Sequence, residues 1–352
     1  MAADDDFPTA VVVLFTCVYI LIFLSSVVGN SIVLSVCCKK VERRTSYLKW
    51  FIANLAVADL IFTTLTILDL IGFLWTWVGG QVSCKFQSFL VEACYTSSIM
   101  TLTLISYERH KAVVEPFNAR RIAPENTHRK LIAVWIVSVL VGFPLLFAYR
   151  VEQDGSDTIT CNNTAFGNLG RQIYYGLHAV CFFLVPLTYM IYAQISIFLT
   201  LRSGVFPMQN NLTATTACSD RRLHRKVAKT LAALTLAFVT CWSPFIVVRT
   251  LKYFSLTVEG YVWKASQLLI LLNTALDPIL YGIYGGNLKP FIQRLFRCTK
   301  FGSSIRVENI SLGELQGGVN WDHTMRQDGK KTWSPLIHRQ MEKYMFHELS
   351  RR

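Results

Sequence analysis

Apolar residues in this chain are gathered into seven long blocks separated by short polar segments. The first block, TAVVVLFTCVYILIFLSSVVGNSIVLSVCC, occupies positions 9–38. Because a helix of roughly 20 apolar residues can cross a lipid bilayer, each block predicts a membrane-spanning helix. The predicted helices cover about 9–38, 47–76, 81–115, 129–149, 172–202, 222–251 and 261–284. The pattern therefore predicts an all-α integral membrane protein, folded as a seven-transmembrane helix bundle.

Composition agrees with a membrane protein. Hydrophobic residues make up 52% of the chain and charged residues only 16%, which is less charge than a soluble domain carries. The formal net charge of +13 does not indicate nucleic-acid binding, because the basic residues cluster in short links between the apolar blocks. Such clusters are typical of cytoplasmic links. They occupy the first, third and fifth links, at Lys39, Lys40, Arg43, Arg44, Arg120, Arg121, Arg129, Lys130, Arg202, Arg221, Arg222, Arg225 and Lys226.

This topology divides the chain into four segments. Residues 1–8, MAADDDFP, are a short extracellular N-terminus without the features of a signal peptide. Residues 9–284 form the seven-transmembrane domain, expected in the plasma membrane. Residues 285–298 predict a short amphipathic eighth helix at the membrane surface, and Cys298 at its end is a candidate for palmitoylation. Residues 299–352 are a polar cytoplasmic tail.

Two features lie on the predicted extracellular side. Asn162 begins an Asn-Asn-Thr sequon, which predicts a glycosylation site. Cys84 and Cys161 stand outside the apolar centres and on the oxidising side of the membrane, so a disulfide between them is expected. Most of the ten cysteines instead lie inside apolar blocks, where Cys behaves as a small buried hydrophobe.

A few ionisable residues fall inside the predicted spans. Charge within hydrocarbon costs about 3 kcal/mol per residue on insertion scales, so such residues are functional candidates. They are Asp59 and Asp69 in the second span, Glu92 in the third, Arg249 near the outer end of the sixth and Asp277 in the seventh.

Short motifs occur in order on the successive spans. These are Gly29-Asn30, NLAVADL from Asn54 to Leu60, Glu108-Arg109-His110, Trp135, Pro144, Pro186, Cys241-Trp242-Ser243-Pro244, Asn273 and Asp277-Pro278-Ile279-Leu280-Tyr281. Together they resemble the rhodopsin-like (class A) G-protein-coupled receptor family, in the style of neuropeptide receptors, and the resemblance covers about Thr9 to Cys298.

The resemblance implies a receptor that activates heterotrimeric G proteins and binds arrestin. It assigns coupling and activation to Glu108, Arg109, His110, Asp277, Pro278 and Tyr281, with Arg109 paired to Glu108 at rest. It assigns conformational switching to Trp242, Pro244, Pro186, Ile99 and Phe238. It also implies an allosteric sodium site at Asp59, Ser98, Asn273 and Asp277, and no other cofactor.

The sequence departs from the family pattern at four positions, one of which is His224, where some members carry an acid that holds Arg109. His110 replaces the usual Tyr of the third-span triplet, and Asp277 replaces the usual Asn in the seventh span. Gln194 stands where the family usually has a Tyr on the fifth span. The active-state contact that this Tyr makes with Arg109 in the family is therefore in doubt for this chain.

Two pocket positions lack residues that particular classes of ligand require, and this narrows the class of ligand. Leu271 stands where opsins carry their Schiff-base Lys, and Val91 stands where amine receptors carry an Asp. Glu92 projects about 100° from Val91, towards either the pocket or the fourth span. Arg249 is expected to pair with Glu92, with Glu259 or with the ligand. The expected ligand-binding residues are Glu92, Arg249, Phe245, Gln267, His178, Tyr175 and Asp69.

This pocket favours an extracellular peptide that carries an acidic group, with a small molecule or a lipid as the alternative. A transporter is disfavoured because the chain has no internal repeat. An enzyme is not expected, since no nucleophile, base or metal cluster assembles in the sequence. Membrane lipids are expected partners, and nucleic acid is not.

Overall fold

The computed structural model describes residues 7–38, 48–115, 127–154, 158–203, 214–254 and 260–284, with side chains at 154, 158, 214–224, 226 and 281–284 left aside. The predicted eighth helix over 285–298, Cys298, the tail over 299–352, Glu259 and the side chain of Tyr281 lie outside this description. So does the N-terminal segment before Phe7.

Seven helices form the described domain. They are α1 (Thr9–Cys38), α2 (Leu48–Leu74), α3 (Gly80–Val114), α4 (Thr127–Ala148), α5 (Gly167–Ser203), α6 (Ala214–Tyr253) and α7 (Gly260–Tyr284). The seven-helix prediction is confirmed. Two helices start earlier than hydrophobicity predicted: α5 at Gly167 rather than about 172, and α6 at Ala214 rather than about 222. Hydrophobicity detects only the part of a helix that matches lipid, whereas the backbone hydrogen bonds continue into polar sequence.

Membrane crossing is supported by length and composition. Six of the helices, α1 to α6, are long and apolar enough to cross a bilayer. The seventh, α7, has 25 residues, which is sufficient length. Its apolar sequence is interrupted by Gln267, Asn273 and Asp277, so its polar face must be directed at other helices.

Prolines interrupt two helices. In α4 the helix pauses at Phe143–Pro144 and resumes as a single turn over Leu145–Ala148. In α5 a π-helical turn, Val180–Leu184, lies just before Pro186. Proline has no backbone N–H, which leaves the carbonyl of Phe182 without its usual donor. The hydroxyl of Tyr95 on α3 reaches that carbonyl at 3.4 Å.

A two-stranded antiparallel hairpin joins α4 to α5. Its strands, β1 (Tyr149–Asp154) and β2 (Thr158–Asn163), pair with Val151 opposite Cys161. The predicted disulfide is present: Cys161 on β2 is bonded to Cys84 near the start of α3. The hairpin was not predicted, because its strands are too short for a clear periodic signal. The end of the bundle that carries it is called the hairpin end below.

The largest core cluster lies among α2, α3, α5, α6 and α7. Ile99, Phe238 and Met190 are fully buried there, and Leu271 is nearly so. Ile99 and Phe238, predicted as a packing pair beside Pro186, belong to this cluster. Large apolar side chains on the outer faces of the helices are exposed instead, as lipid contact requires. Among them are Leu14, Leu21, Leu140, Phe147 and Phe198.

Helix α1 is attached to α7 through the first motif, Gly29-Asn30. A Cβ on Gly29 would come within 2.6 Å of the Pro278 ring, so only glycine permits this approach. The Asn30 amide donates to the carbonyl of Thr274 at 2.9 Å. Thr274 lies four residues before Pro278, which cannot supply the backbone donor. Asn30 therefore replaces the hydrogen bond that the proline removes.

Asn54 of the second-span motif holds three helices together. Its amide donates to the Thr101 hydroxyl at 2.9 Å, which connects α2 to α3. Its carbonyl accepts from the Trp135 indole at 2.8 Å, which connects α2 to α4. Asn54 and Trp135 thus have structural roles, and the contact of Asn54 with Thr101 positions α3 for the sites described next.

Candidate functional site

Three charged or titratable side chains meet inside the hairpin half of the bundle. Nη1 of Arg249 on α6 lies 3.2 Å from Oε2 of Glu92 on α3. Nε2 of His178 on α5 lies 2.7 Å from Oε1 of the same carboxylate. Nη2 of Arg249 lies 3.1 Å from Nδ1 of His178. These residues are called the ionic triad, and they join three helices.

The triad is closed to solvent, and two opposite charges face each other within it. Glu92, His178 and Arg249 are 6%, 3% and 5% exposed. The charges of Arg249 and Glu92 cancel, and the imidazole of His178 lies against both partners. A buried charge pair of this kind needs such additional hydrogen bonds to offset desolvation.

Aromatic rings enclose the Arg249 guanidinium. It lies 4.7 Å from the Tyr175 ring centre and 5.1 Å from that of Phe245, distances at which cation–π attraction operates. Tyr175 in turn stacks on Tyr253, with ring centres 4.4 Å apart and planes 3° from parallel. The cation is thus held by a carboxylate, an imidazole and two ring faces.

Below the triad, Tyr95 and Trp242 form an aromatic floor. The Tyr95 ring lies 5.1 Å from His178 and 4.2 Å from Trp242. Trp242 also packs against Phe238 at 5.8 Å and Phe245 at 6.2 Å. A continuous series of contacts therefore runs from the triad to the predicted switch residues of α6.

The structure resolves the orientation of Glu92, which the sequence left open between the pocket and α4. It faces His178 and Arg249, so the predicted residues Glu92, His178, Tyr175, Arg249 and Phe245 form one cluster. Of the three partners expected for Arg249, the structure shows Glu92, so the arginine already holds a carboxylate. Glu92 and Arg249 can pair because each lies on a buried face of its helix.

Two predicted ligand residues lie apart from this cluster. Asp69 on α2 is exposed, and Lys264 of α7 is within electrostatic reach of its carboxylate. Gln267 on α7 is half-buried. The bundle thus offers an accessible carboxylate on α2 and a closed ionic cluster among α3, α5 and α6.

A second polar cluster lies deeper in the bundle. Asp59 on α2 and Asp277 on α7 are 2% and 1% exposed, and their carboxyl groups interact, with Ser98 of α3 beside Asp59. Among the described side chains, one oxygen of Asp59, both of Asp277 and the side-chain oxygen of Asn273 are buried without a hydrogen-bond partner. Several acceptors converging without donors suit a small cation.

At the opposite end, the Glu108-Arg109-His110 triplet lies one turn before the end of α3. Glu108 forms an ion pair with Lys130, which approaches from the neighbouring helix α4. The expected pairing of Glu108 with Arg109 stays a prediction. The His110 ring lies 5.6 Å from that of Tyr192 on α5.

Sequence reasoning missed Tyr95 and Tyr253 as parts of the site. Tyr95 lies three residues after Glu92 on α3, and Tyr253 lies four residues after Arg249 on α6. Residues three or four apart share a helix face. Extending each predicted face by one turn would therefore have found both.

Comparison with known proteins gives consistent matches along the chain. Residues 29–281 match the family model described as 7 transmembrane receptor (rhodopsin family). A QRFP-like peptide receptor of Branchiostoma floridae is 29% identical over 297 residues, which cover 80% of this chain and 76% of the relative. Galanin receptor 2a of Danio rerio is 27% identical over 337 residues, covering 92% and 90%. Somatostatin receptor type 4 of Rattus norvegicus is 27% identical over 305 residues, covering 84% and 76%.

Proposed function

The chain belongs to the rhodopsin family of seven-transmembrane receptors, and we propose that its ligand is an extracellular peptide whose binding activates heterotrimeric G proteins. As a member of this family it is a multi-pass membrane receptor and not an enzyme. A peptide ligand is supported by the names of its relatives, which include a QRFP-like peptide receptor, a galanin receptor and a somatostatin receptor.

One observation carries the proposal: the ionic triad ties α3, α5 and α6 together above the aromatic floor. Pro186 and Pro244 each remove a backbone hydrogen bond, in α5 and α6, so these helices can bend there. A peptide that contacts Tyr175 and Phe245, the rings against Arg249, would change the attraction between the helices above both prolines. The contacts through Tyr95 and Trp242 then transmit the change towards the other end.

The charge of the triad constrains the ligand. Since Glu92 already neutralises Arg249, a ligand carboxylate would have to displace an existing partner. Asp69 is exposed on α2, and a basic group of a peptide would pair with it in competition with Gln87 and Lys264. We infer that the peptide contributes a cationic group to Asp69 and contacts Tyr175, Phe245 and Gln267 near the hairpin end.

Coupling to the G protein is assigned to the Arg109 end of the bundle, opposite the hairpin end. Arg109, flanked by Glu108 and His110, would contact the G protein when α6 moves, and arrestin would use the same surface. Asp277, Pro278 and Tyr281 on α7 would complete the activation machinery. The Glu108–Lys130 ion pair then belongs to the resting arrangement.

The proposed orientation places the N-terminus and the hairpin end outside the plasma membrane. Clustering of Lys and Arg in alternate links supports it. In this orientation Asn162, which is exposed on β2, is a glycosylation site, and Cys298 is available for palmitoylation.

We also propose that sodium binds between α2, α3 and α7. Asp59, Ser98, Asn273 and Asp277 would hold the ion, and the unpartnered buried oxygens among them support the fit. A bound cation would supply the positive charge that two neighbouring buried carboxylates lack. The chain's own residues would then keep α2 and α7 in their present spacing.

A peptide screen tests the proposal. Cells expressing the receptor with a promiscuous G protein are exposed to a peptide library, and cells expressing Arg109→Ala serve as the coupling-deficient control. A peptide that activates the receptor but not the control supports the proposal. Activation by lipids or small molecules but by no peptide would contradict a peptide ligand. Nucleotide exchange on purified G protein measures the coupling step separately.

A further inference from the structure

A groove runs along the outer faces of α5 and α6 near the Arg109 end of the bundle. It encloses a cavity of about 540 Å³. Helix α5 contributes Gln194, Ile195, Phe198, Leu201 and Arg202, whose spacing follows one helix face. This groove is distinct from the ionic triad and from the paired carboxylates.

The α6 wall of the groove repeats with the period of one helix face. Arg225, Ala228, Lys229 and Ala232 line it, at spacings of three and four residues. The two alanines leave the space between the helices unfilled. The two cations stand beside this hollow, on the wall opposite Arg202.

Charge at the rim of the groove has one sign. Arg202, Arg225 and Lys229 are exposed, and none of them forms an ion pair with another residue of the described ranges. Among the described side chains, no acidic residue lines the cavity. Three cations at the mouth of a cavity, without an ion-pair partner in the described ranges, favour an anionic occupant.

The lower part of the groove is apolar and open to lipid. Phe198 and Ile195 are 63% and 55% exposed, on the outer surface of a helix that crosses the membrane. Gln194 adds a buried Nε2 that donates to no described group. The groove thus combines an anion-binding mouth, an amide donor and an apolar channel.

We propose that this groove binds an anionic phospholipid, with its phosphate at Arg202, Arg225 and Lys229 and one acyl chain along Ala228, Ala232 and Phe198. The occupant is a lipid rather than a protein because the channel opens among lipid-facing side chains. The cytoplasmic leaflet, where the proposed orientation puts these cations, carries the anionic lipids. A lipid seated here bridges α5 and α6 and resists their separation.

The inference rests on the proposed orientation but not on the identity of the ligand. Binding is therefore measured without agonist or G protein: the purified full-length receptor is titrated with phosphatidylserine or phosphatidylcholine, and retained lipids are counted by native mass spectrometry. Failure of this experiment leaves the receptor function untouched, and failure of the peptide screen leaves the lipid site untouched.

Two variants separate the parts of the site. R202Q/R225Q/K229Q removes the anion-binding mouth, and each neutralisation is expected to lower phosphatidylserine affinity about fivefold. A232L fills the channel and keeps all three cations, and it is expected to lose lipid retention as well. R150Q is the matched control, because it removes an exposed cation from the hairpin instead.

Glycerophosphoserine has the headgroup but no acyl chains, and it tests whether the site requires an intact phospholipid or only a soluble phosphate. Selective retention of phosphatidylserine, lost in both variants but not in R150Q and not displaced by glycerophosphoserine, is the expected result. The proposal would be overturned if either variant retained as much phosphatidylserine as the unmodified receptor does. So would equal retention of phosphatidylcholine, or full displacement by glycerophosphoserine, which would indicate a site for a soluble phosphate.

Discussion

Arg249 on α6 and Glu92 on α3 form an ion pair at 3.2 Å, with His178 touching both partners. Buried pairs of this kind contribute little net stability, but removal of one partner leaves an isolated buried charge. The pair therefore makes the relative position of α3 and α6 dependent on both residues. This dependence underlies the first prediction.

R249A is expected to destabilise the receptor by about 3–5 kcal/mol, because it leaves the Glu92 carboxylate buried and uncompensated. The double variant E92Q/R249Q removes both charges and should be more stable than R249A alone. Thermal unfolding of the purified receptor measures the difference. If E92Q, R249Q and E92Q/R249Q have additive effects on the free energy of unfolding, the two side chains are not coupled and the triad is not a unit.

N30A is expected to destabilise the receptor by about 1–3 kcal/mol, the usual cost of an unsatisfied buried polar group. The Thr274 carbonyl would lose its donor, and Pro278 cannot replace it. S35A is the control, since it removes an exposed hydroxyl from the same helix. Equal melting temperatures for both variants would mean that Asn30 does not support α7.

Replacement of Cys161 by Ser is expected to destabilise the receptor by about 2–4 kcal/mol, because it releases the constraint on the unfolded chain. The disulfide joins residues 77 positions apart and attaches the hairpin to α3. C181S is the control, as Cys181 is an exposed free cysteine. Peptide mapping that finds Cys84 and Cys161 as free thiols in mature receptor would contradict this pairing.

Sodium should lower agonist affinity if it stabilises the resting receptor, and agonist should weaken sodium binding by the same factor. D59N is expected to abolish this sodium dependence, whereas T64A removes an exposed hydroxyl from the same helix and should retain it. The measurement is agonist binding in sodium and in a larger inert cation. Equal affinities in the two salts for the unmodified receptor would exclude the site.

R109A is expected to retain surface expression and lose agonist-stimulated nucleotide exchange, since the proposed role of Arg109 is contact with the G protein and not support of the fold. R129A removes an exposed cation from α4 at the same end of the bundle and should signal normally. Surface labelling and nucleotide exchange are measured together. Full exchange by R109A would remove this residue from the coupling machinery.

Several residues recognised as family motifs in the sequence make contacts between helices in the structure. Gly29, Asn30, Asn54 and Trp135 were recognisable as family motifs, and their hydrogen bonds and close approaches connect neighbouring helices. The early start of α6 at Ala214 was not predictable from apolar content, because that region is polar. The hairpin was missed because neither short strand has enough alternation to distinguish it from a loop.

The sequence by itself determined the number of helices, their membrane character and the disulfide partners. A bilayer requires each spanning segment to be apolar and to satisfy its own backbone hydrogen bonds, so this information is local and readable. Only the tertiary structure decided that Glu92 meets Arg249, 157 residues away, and that Glu108 pairs with Lys130. Those contacts depend on the rotation of each helix about its axis, which is set by packing against several neighbours at once.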